Sequence, residues 1–195
     1  MSARIHTATL HGLEALRVET EVDSSPGLHF FSIVGLPDKS VEESKERIDA
    51  ALKNCALINP KAKNLRIVVN LAPADIKKVG SRFDLAIALS YLLASEQLKP
   101  FETKDKIFIG ELSLDGSLRS INGSLNVALL AKRKKIKYLF LPEKNAFEAA
   151  AIDSIQVIPV CNLNELIDHL EDRKLISRTP PTKIKSGFGE SFVSL

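Results

Sequence analysis

Apolar and polar residues alternate from Arg4 to Leu10, and again through Leu16, Val18, Thr20 and Val22, with His11-Gly12 between the two runs. Period two predicts a pair of strands joined by a turn. Asp23-Ser24-Ser25-Pro26-Gly27 reads as a loop, and Leu28–Val34, rich in β-branched and aromatic residues, as a third strand. Gly35-Leu36-Pro37-Asp38 breaks the pattern. A helix is expected from about Asp38 to Asn54, because Val41, Ile48, Ala51 and Leu52 share one face; Ser40 with Glu43 fits a capping box, and Asp38 after Pro37 fits a helix start.

Leu65–Leu71 is a strong strand, and Ala72–Gly80 a loop carrying two lysines. Ser81–Ser95 reads as a helix that is apolar nearly all round, hence central and buried. Lys106–Leu112 and Ser117–Ile121 predict two strands joined at Asp115-Gly116 by a type I′ hairpin turn. A helix over Asn122–Lys134 would turn Leu125, Ala128 and Leu129 inward. Then come a strand at Tyr138–Leu141, a helix at Asn145–Ala151, a strand at Ile155–Val160 and a helix at Leu163–Leu170. Strands first as a meander, then alternating with helices, predict an α+β (mixed α/β) class: a mixed sheet with helices packed on it.

The chain has 195 residues, enough for one domain with a real core. Hydrophobic residues make up 45% and charged residues 26%, ordinary for a folded soluble protein. No apolar run approaches a membrane span, and the start, Met1–His6, lacks the apolar stretch of a secretory signal. Cys55 and Cys161 sit in no C-x-x-C and read as reduced, part-buried thiols, so a cytoplasmic location is expected. The formal net charge of +3 hides an asymmetry: from Arg173 onward there are five basic residues and one acid, leaving 22 basic and 23 acidic residues in 1–172. With Thr179-Pro180-Pro181-Thr182, this predicts a folded domain over 1–172 and a basic linker or tail over 173–195.

No segment fits G-x-x-x-x-G-K-[ST], so no nucleotide hydrolysis is expected of this chain, and the four scattered histidines and the lack of H-E-x-x-H predict no metal site. The densest polar feature is the stretch from Ala72 to Asp84. Lys77, Lys78 and Arg82 beside a helix start form a candidate anion or phosphate site. Ser81 as N-cap with Asp84 three residues on is the structural reading of the same stretch. Ser81 could also act as a nucleophile, given a base from elsewhere in the fold. A second basic run, Lys132, Arg133, Lys134, Lys135 and Lys137, ends a helix. It either complements the helix dipole or tracks phosphates.

Six blocks occur in order: Val34-Gly35-Leu36-Pro37-Asp38; Val41-Glu42-Glu43-Ser44; Ala50-Ala51-Leu52-Lys53-Asn54; Val69-Asn70-Leu71-Ala72-Pro73-Ala74-Asp75; Gly80-Ser81-Arg82-Phe83-Asp84-Leu85; and Gly110-Glu111-Leu112-Ser113-Leu114-Asp115-Gly116-Ser117-Leu118-Arg119. Together, over about residues 1–172, they resemble the N-terminal domain of the ComM/YifB family of magnesium-chelatase-like AAA+ ATPases. The resemblance implies a ribosomal protein S5 domain 2-like fold, shared with the Lon protease domain and a RadA domain. It implies a motor domain elsewhere that binds ATP and Mg²⁺, hexameric self-association, and work on DNA in branch migration during natural transformation. No cofactor, small-molecule substrate or membrane is implied for this part. Three places depart from the family pattern: Ala86 and Ser90 replace a proline and a glycine, and Ser120-Ile121-Asn122-Gly123 replaces Pro-Val-x-Gly. Matching to Lon-type peptidases puts Leu125 at the catalytic lysine position and Gly80 or Ser81 at the serine position, so no Ser-Lys dyad is expected and the chain is expected to be no enzyme.

Overall fold

A computed structural model describes residues 2–182. The element order is β1 (Ser2–His11), β2 (Glu14–Pro26), β3 (Phe30–Val34), α1 (Lys39–Glu42), α2 (Ser44–Asn54), β4 (Leu65–Ala72), α3 (Asp84–Ala94), β5 (Lys106–Phe108), β6 (Glu111–Leu112), β7 (Leu118–Arg119), α4 (Ser124–Arg133), β8 (Tyr138–Pro142), α5 (Glu143–Ala149), β9 (Gln156–Val160) and α6 (Leu163–Leu170). The class is mixed α and β, as the pattern predicts. The single sheet expected is instead three: a mixed sheet ordered β1-β2-β4-β3, a parallel sheet β5-β8-β9 and the hairpin β6-β7. No helix among the described residues is long and apolar enough to cross a membrane.

Register follows the alternation. β1 and β2 pair antiparallel with Ile5 opposite Thr20 and Thr9 opposite Leu16. Ile5, Leu16 and Val18 therefore share one face of the sheet, while Ala8, Ala15 and Arg17 share the other. The first face packs on α3, whose residues are buried at every position except Leu93. The second meets α4, and Ala8 and Ala15 pack in a second core with Val127, Ala131, Ile107, Leu139 and Val157. Each fully buried aliphatic side chain contributes about 1.5–3 kcal/mol, so the two cores hold the helices on opposite faces of the β1–β2 pair.

Several expectations are corrected. Asp23–Pro26 is strand, not loop, because β4 supplies the partners Val68, Ile67, Arg66 and Leu65. The helix over 38–54 breaks at Glu43 into α1 and α2. Its cap is Asp38, which accepts the Val41 amide at 2.9 Å, rather than the Ser40–Glu43 box. Lys106–Leu112 splits at Gly110, whose amide donates to Arg82 O at 3.0 Å and whose carbonyl accepts from Leu85. The chain leaves the parallel sheet there to brace the start of α3.

The β6–β7 connection runs over residues 113–117, with Ser113 N donating to Ser117 O across its base and Gly116 N to Ser113 O. Only Gly116 has positive φ there, whereas a type I′ turn needs two such residues. α4 is rotated from its expected face: Val127, Ala128, Leu130 and Ala131 are buried, Leu125 is half-buried and Leu129 is exposed. The cause is contact on two sides, with β2 and with α5.

The expected linker from Arg173 lies against the body as far as Thr182. Thr179 N donates to Val157 O at 2.8 Å, Thr182 N to Ala150 O at 2.9 Å, and Ile176 N to His169 Nδ1 at 2.9 Å. Residues 183–195 of the predicted tail fall outside the described residues. Cys55 is half-buried, and Cys161, expected to be part-buried, is exposed; both are free thiols. Burial, with Glu143 and Glu165 nearby, pushes the Cys161 thiol up to about 11, which disfavours the reactive thiolate.

Candidate nucleic-acid interface

The loop between β4 and α3 begins at a cis Ala72–Pro73 bond and is clamped to the segment before α1. Lys78 N donates to Leu36 O at 3.1 Å, and Asp38 N donates to Lys78 O at 2.9 Å. Gly80 N donates to the Asp38 carboxylate at 3.1 Å. The Lys78 side chain is fully buried and its ammonium donates to Pro73 O; burial pushes its pKa below the ordinary lysine value. Lys78 is therefore a buried strut of the loop, which removes it from the expected phosphate-binding set. Lys77, its neighbour, is exposed.

The start of α3 is also corrected. Ser81 does not cap: its hydroxyl donates to the Glu111 carboxylate, in a 3₁₀ turn over Ser81–Phe83 with no side-chain cap. Asp84 is fully buried and accepts from Arg47 Nε at 2.6 Å, Arg47 Nη2 at 3.0 Å, Leu112 N at 3.2 Å and Ser44 Oγ. Burial pushes the Asp84 carboxyl up while Arg47, Ser44 and the Leu112 amide pull it back; the Asp84 hydrogen bond raises the Arg47 guanidinium. With Asp84 and Glu111 already standing at this helix start, a free anion would meet like charge. Arg82 is half-buried, donates to Asn122 O at 3.2 Å and has a pKa lowered by burial. The expected anion site at the helix start is not assembled. As a nucleophile Ser81 has only a carboxylate as hydrogen-bond partner among the described residues, with Leu125 at the position matched to a peptidase lysine.

The second basic run fares differently. Lys132, Arg133, Lys134, Lys135 and Lys137 are all exposed, at the C-terminal end of α4 and the turn after it. Lys132 pairs with Asp153 at 2.7 Å, and the Lys137 ammonium lies 4.9 Å from the centre of the Tyr138 ring. Arg133 reaches back to the β1–β2 hairpin, 3.5 Å from the Glu14 carboxylate and 3.4 Å from Ala15 O. Arg133 and Lys134 line a groove of about 490 Å³, closed by Glu14–Arg17 of β2, Leu130 of α4 and Ile76 of the 72–80 loop. The groove thus draws on both stretches singled out in the sequence, and three cations line it against one carboxylate.

Arg17 was not among the expected residues. On an alternating strand a single arginine reads as an ordinary solvent-facing position; only the arrival of α4 beside it makes it part of a groove. Arg17 and Lys134 form no ion pair among the described residues. Among those residues no group of three or more His, Cys, Asp or Glu is placed to hold a metal ion.

Residues 20–145 match the family described as subunit ChlI of Mg-chelatase. The chain belongs to that family. Within it, the ChlI-type chain is 42% identical over 150 residues to the competence protein ComM of Haemophilus influenzae, covering 77% of this chain and 29% of ComM. It is 34% identical over 178 residues to the uncharacterized protein YifB of Escherichia coli, covering 91% of this chain and 34% of YifB. A shorter match, 36% over 72 residues, joins 34% of the chain to 9% of the Lon protease of Rhizobium meliloti. The ComM/YifB resemblance and the Lon likeness therefore both hold. The ChlI-type chain spans about a third of the length of the curated relatives it matches.

Proposed function

We propose that this chain is a non-catalytic N-terminal accessory domain of a ComM/YifB-type AAA+ ATPase. It supports ring assembly, hexameric as in the family, and engages DNA in recombination and branch migration during natural transformation. ATP and Mg²⁺ belong in this reading to a motor domain outside these residues. The observation that carries the DNA contact is the groove in which Arg17, Arg133 and Lys134 converge from two elements. Convergent cations track phosphates, whereas scattered ones only keep a surface solvated. Lys77 and Lys135, exposed and adjacent in sequence to the lining residues Ile76 and Lys134, are not themselves part of the lining. The likeness to a competence protein supports placing that contact in DNA recombination.

A second reading, an oligomerisation or protein-docking module without DNA contact, is favoured by exposed Phe30, Val34, Leu36 and Val79 around edge strand β3. One pair of experiments separates the two. A mobility shift with branched DNA that is lost on Arg17→Glu with Lys134→Glu supports DNA engagement. No shift at any protein concentration, with a ring or dimer by light scattering, supports the docking module. The remote peptidase reading predicts labelling of Ser81 by a serine-reactive probe; the Ser81–Glu111 pairing supplies no lysine or histidine base for it.

A further inference from the structure

We infer that the groove takes the sugar-phosphate backbone of duplex DNA without reading its bases, and that Glu14 competes with the phosphates for Arg133. The inference rests on the DNA reading above and narrows it to one form of nucleic acid.

The lining decides between duplex and single strand. Ala15, Ile76 and Leu130 supply apolar lining, and among the described residues no aromatic side chain lines the groove. The largely exposed aromatic rings among the described residues, Phe30 and Phe147, lie outside its walls. Proteins that hold single strands combine a basic track with rings on which unpaired bases stack; a groove without rings forgoes that affinity. Its attraction is then electrostatic, and a duplex carries one charge per about 1.7 Å of axis, twice the density of a single strand.

The cations are set to meet phosphates rather than base edges. Arg133 lies 3.5 Å from the Glu14 carboxylate and 3.4 Å from Ala15 O, so in this structure its guanidinium is partnered on the groove wall rather than presented as a forked guanine reader. Lys134 carries a compact point charge, and among the described residues no Asn or Gln lines the groove to read adenine. Contacts of this kind fix position and carry no sequence information. The Glu14 carboxylate, 66% exposed, lies on the same wall, 3.5 Å from Arg133. A phosphate approaching Arg133 meets that carboxylate as a like charge and a rival acceptor.

The test is fluorescence anisotropy of the whole chain with two end-labelled 30-base-pair duplexes of unrelated sequence and each of their separated strands. The proteins are wild type, Arg17→Ala with Lys134→Ala, and Glu14→Gln. The expected result is a preference of about tenfold for duplex at matched salt, the two duplexes agreeing within about twofold, a loss of about tenfold or more in the double variant, and a gain of a few-fold in Glu14→Gln. Equal or tighter binding of single strands overturns the duplex inference but leaves the DNA reading standing, as does a strong preference for one of the two sequences. Weaker or unchanged binding by Glu14→Gln overturns the competition. Absence of binding to all six nucleic acids, the two duplexes and their four strands, overturns the DNA reading itself. Unchanged affinity in the double variant, folded by circular dichroism, removes the groove as the site.

Discussion

The Asp38 carboxylate accepts the Gly80 amide at 3.1 Å across 42 residues of sequence, while its other oxygen accepts the Val41 amide at 2.9 Å. One side chain thus caps α1 and ties it to the loop that precedes α3. The backbone repeats the tie, since Asp38 N donates to Lys78 O and Lys78 N to Leu36 O. The 72–80 loop, with Ile76 in the groove wall, owes its position to a residue on another element.

Asp38→Ala removes the cap and the tie together. Loss of an N-cap costs about 1 kcal/mol, and freeing a second amide adds a similar amount. Urea unfolding should show a loss of about 1–3 kcal/mol, with faster hydrogen exchange at Gly80 as well as at Val41. Accelerated exchange at Val41 alone would show that the tie to the loop is not structural.

Lys78→Met tests whether this lysine is a strut or a ligand. The buried ammonium donates to Pro73 O, and methionine keeps the stem while losing that bond. We expect changed stability with DNA affinity within about twofold of wild type once folding is matched. A selective drop in affinity in a fully folded variant would return Lys78 to the binding surface.

Arg47→Met breaks the buried pair with Asp84, leaving that carboxylate with only Ser44 and the Leu112 amide. Removing one partner of a buried pair costs about 3–5 kcal/mol. Thermal unfolding should show a large drop, partly restored by Arg47→Met with Asp84→Asn, which removes the stranded charge. No recovery in the double variant would show that packing, rather than charge, dominates the site.

The legible part of the fold is the part set by local periodicity. The strand expected at Leu65–Leu71 is β4, one residue longer at Ala72; Leu163–Leu170 is α6 residue for residue, and the apolar stretch after Phe83 is the buried α3. Non-local contacts hid the rest. Lys77-Lys78 reads as a surface pair; only the loop around Pro37, some forty residues away, buries the second lysine. Ser81 and Asp84 have the spacing of a cap, yet Glu111 and Arg47, on other elements, take their side chains. A single apolar face would place Leu129 inside; α4 instead packs along two sides and leaves it exposed. The groove was half legible: its α4 cations stood out as a run, and Arg17 did not.

Two histidines give the stability a pH dependence of definite sign. Burial lowers the pKa of His6, with Arg17 and Arg4 acting the same way against Glu19, and burial lowers that of His169. Both are below the ordinary 6.5 in the folded state, so the unfolded chain binds more protons as pH falls. Their contribution is fully present above about pH 6.5 and is lost as pH drops through the folded values. Urea midpoints should fall between pH 7.5 and 5.5, and less so in His6→Gln. The raised Asp84 carboxyl acts in the opposite sense, so the deciding comparison is between proteins: an acid loss no smaller in His6→Gln than in wild type would contradict the assignment.

The central claim is that Arg17 and Lys134 meet phosphates in the groove between β2 and α4. The most direct measurement is duplex affinity across a salt series for wild type and for Arg17→Ala with Lys134→Ala. Each neutralised phosphate contributes about 0.9 to the slope of log affinity against log salt, so the variant's slope should be shallower by about 1.8. Parallel slopes for the two proteins would contradict the account.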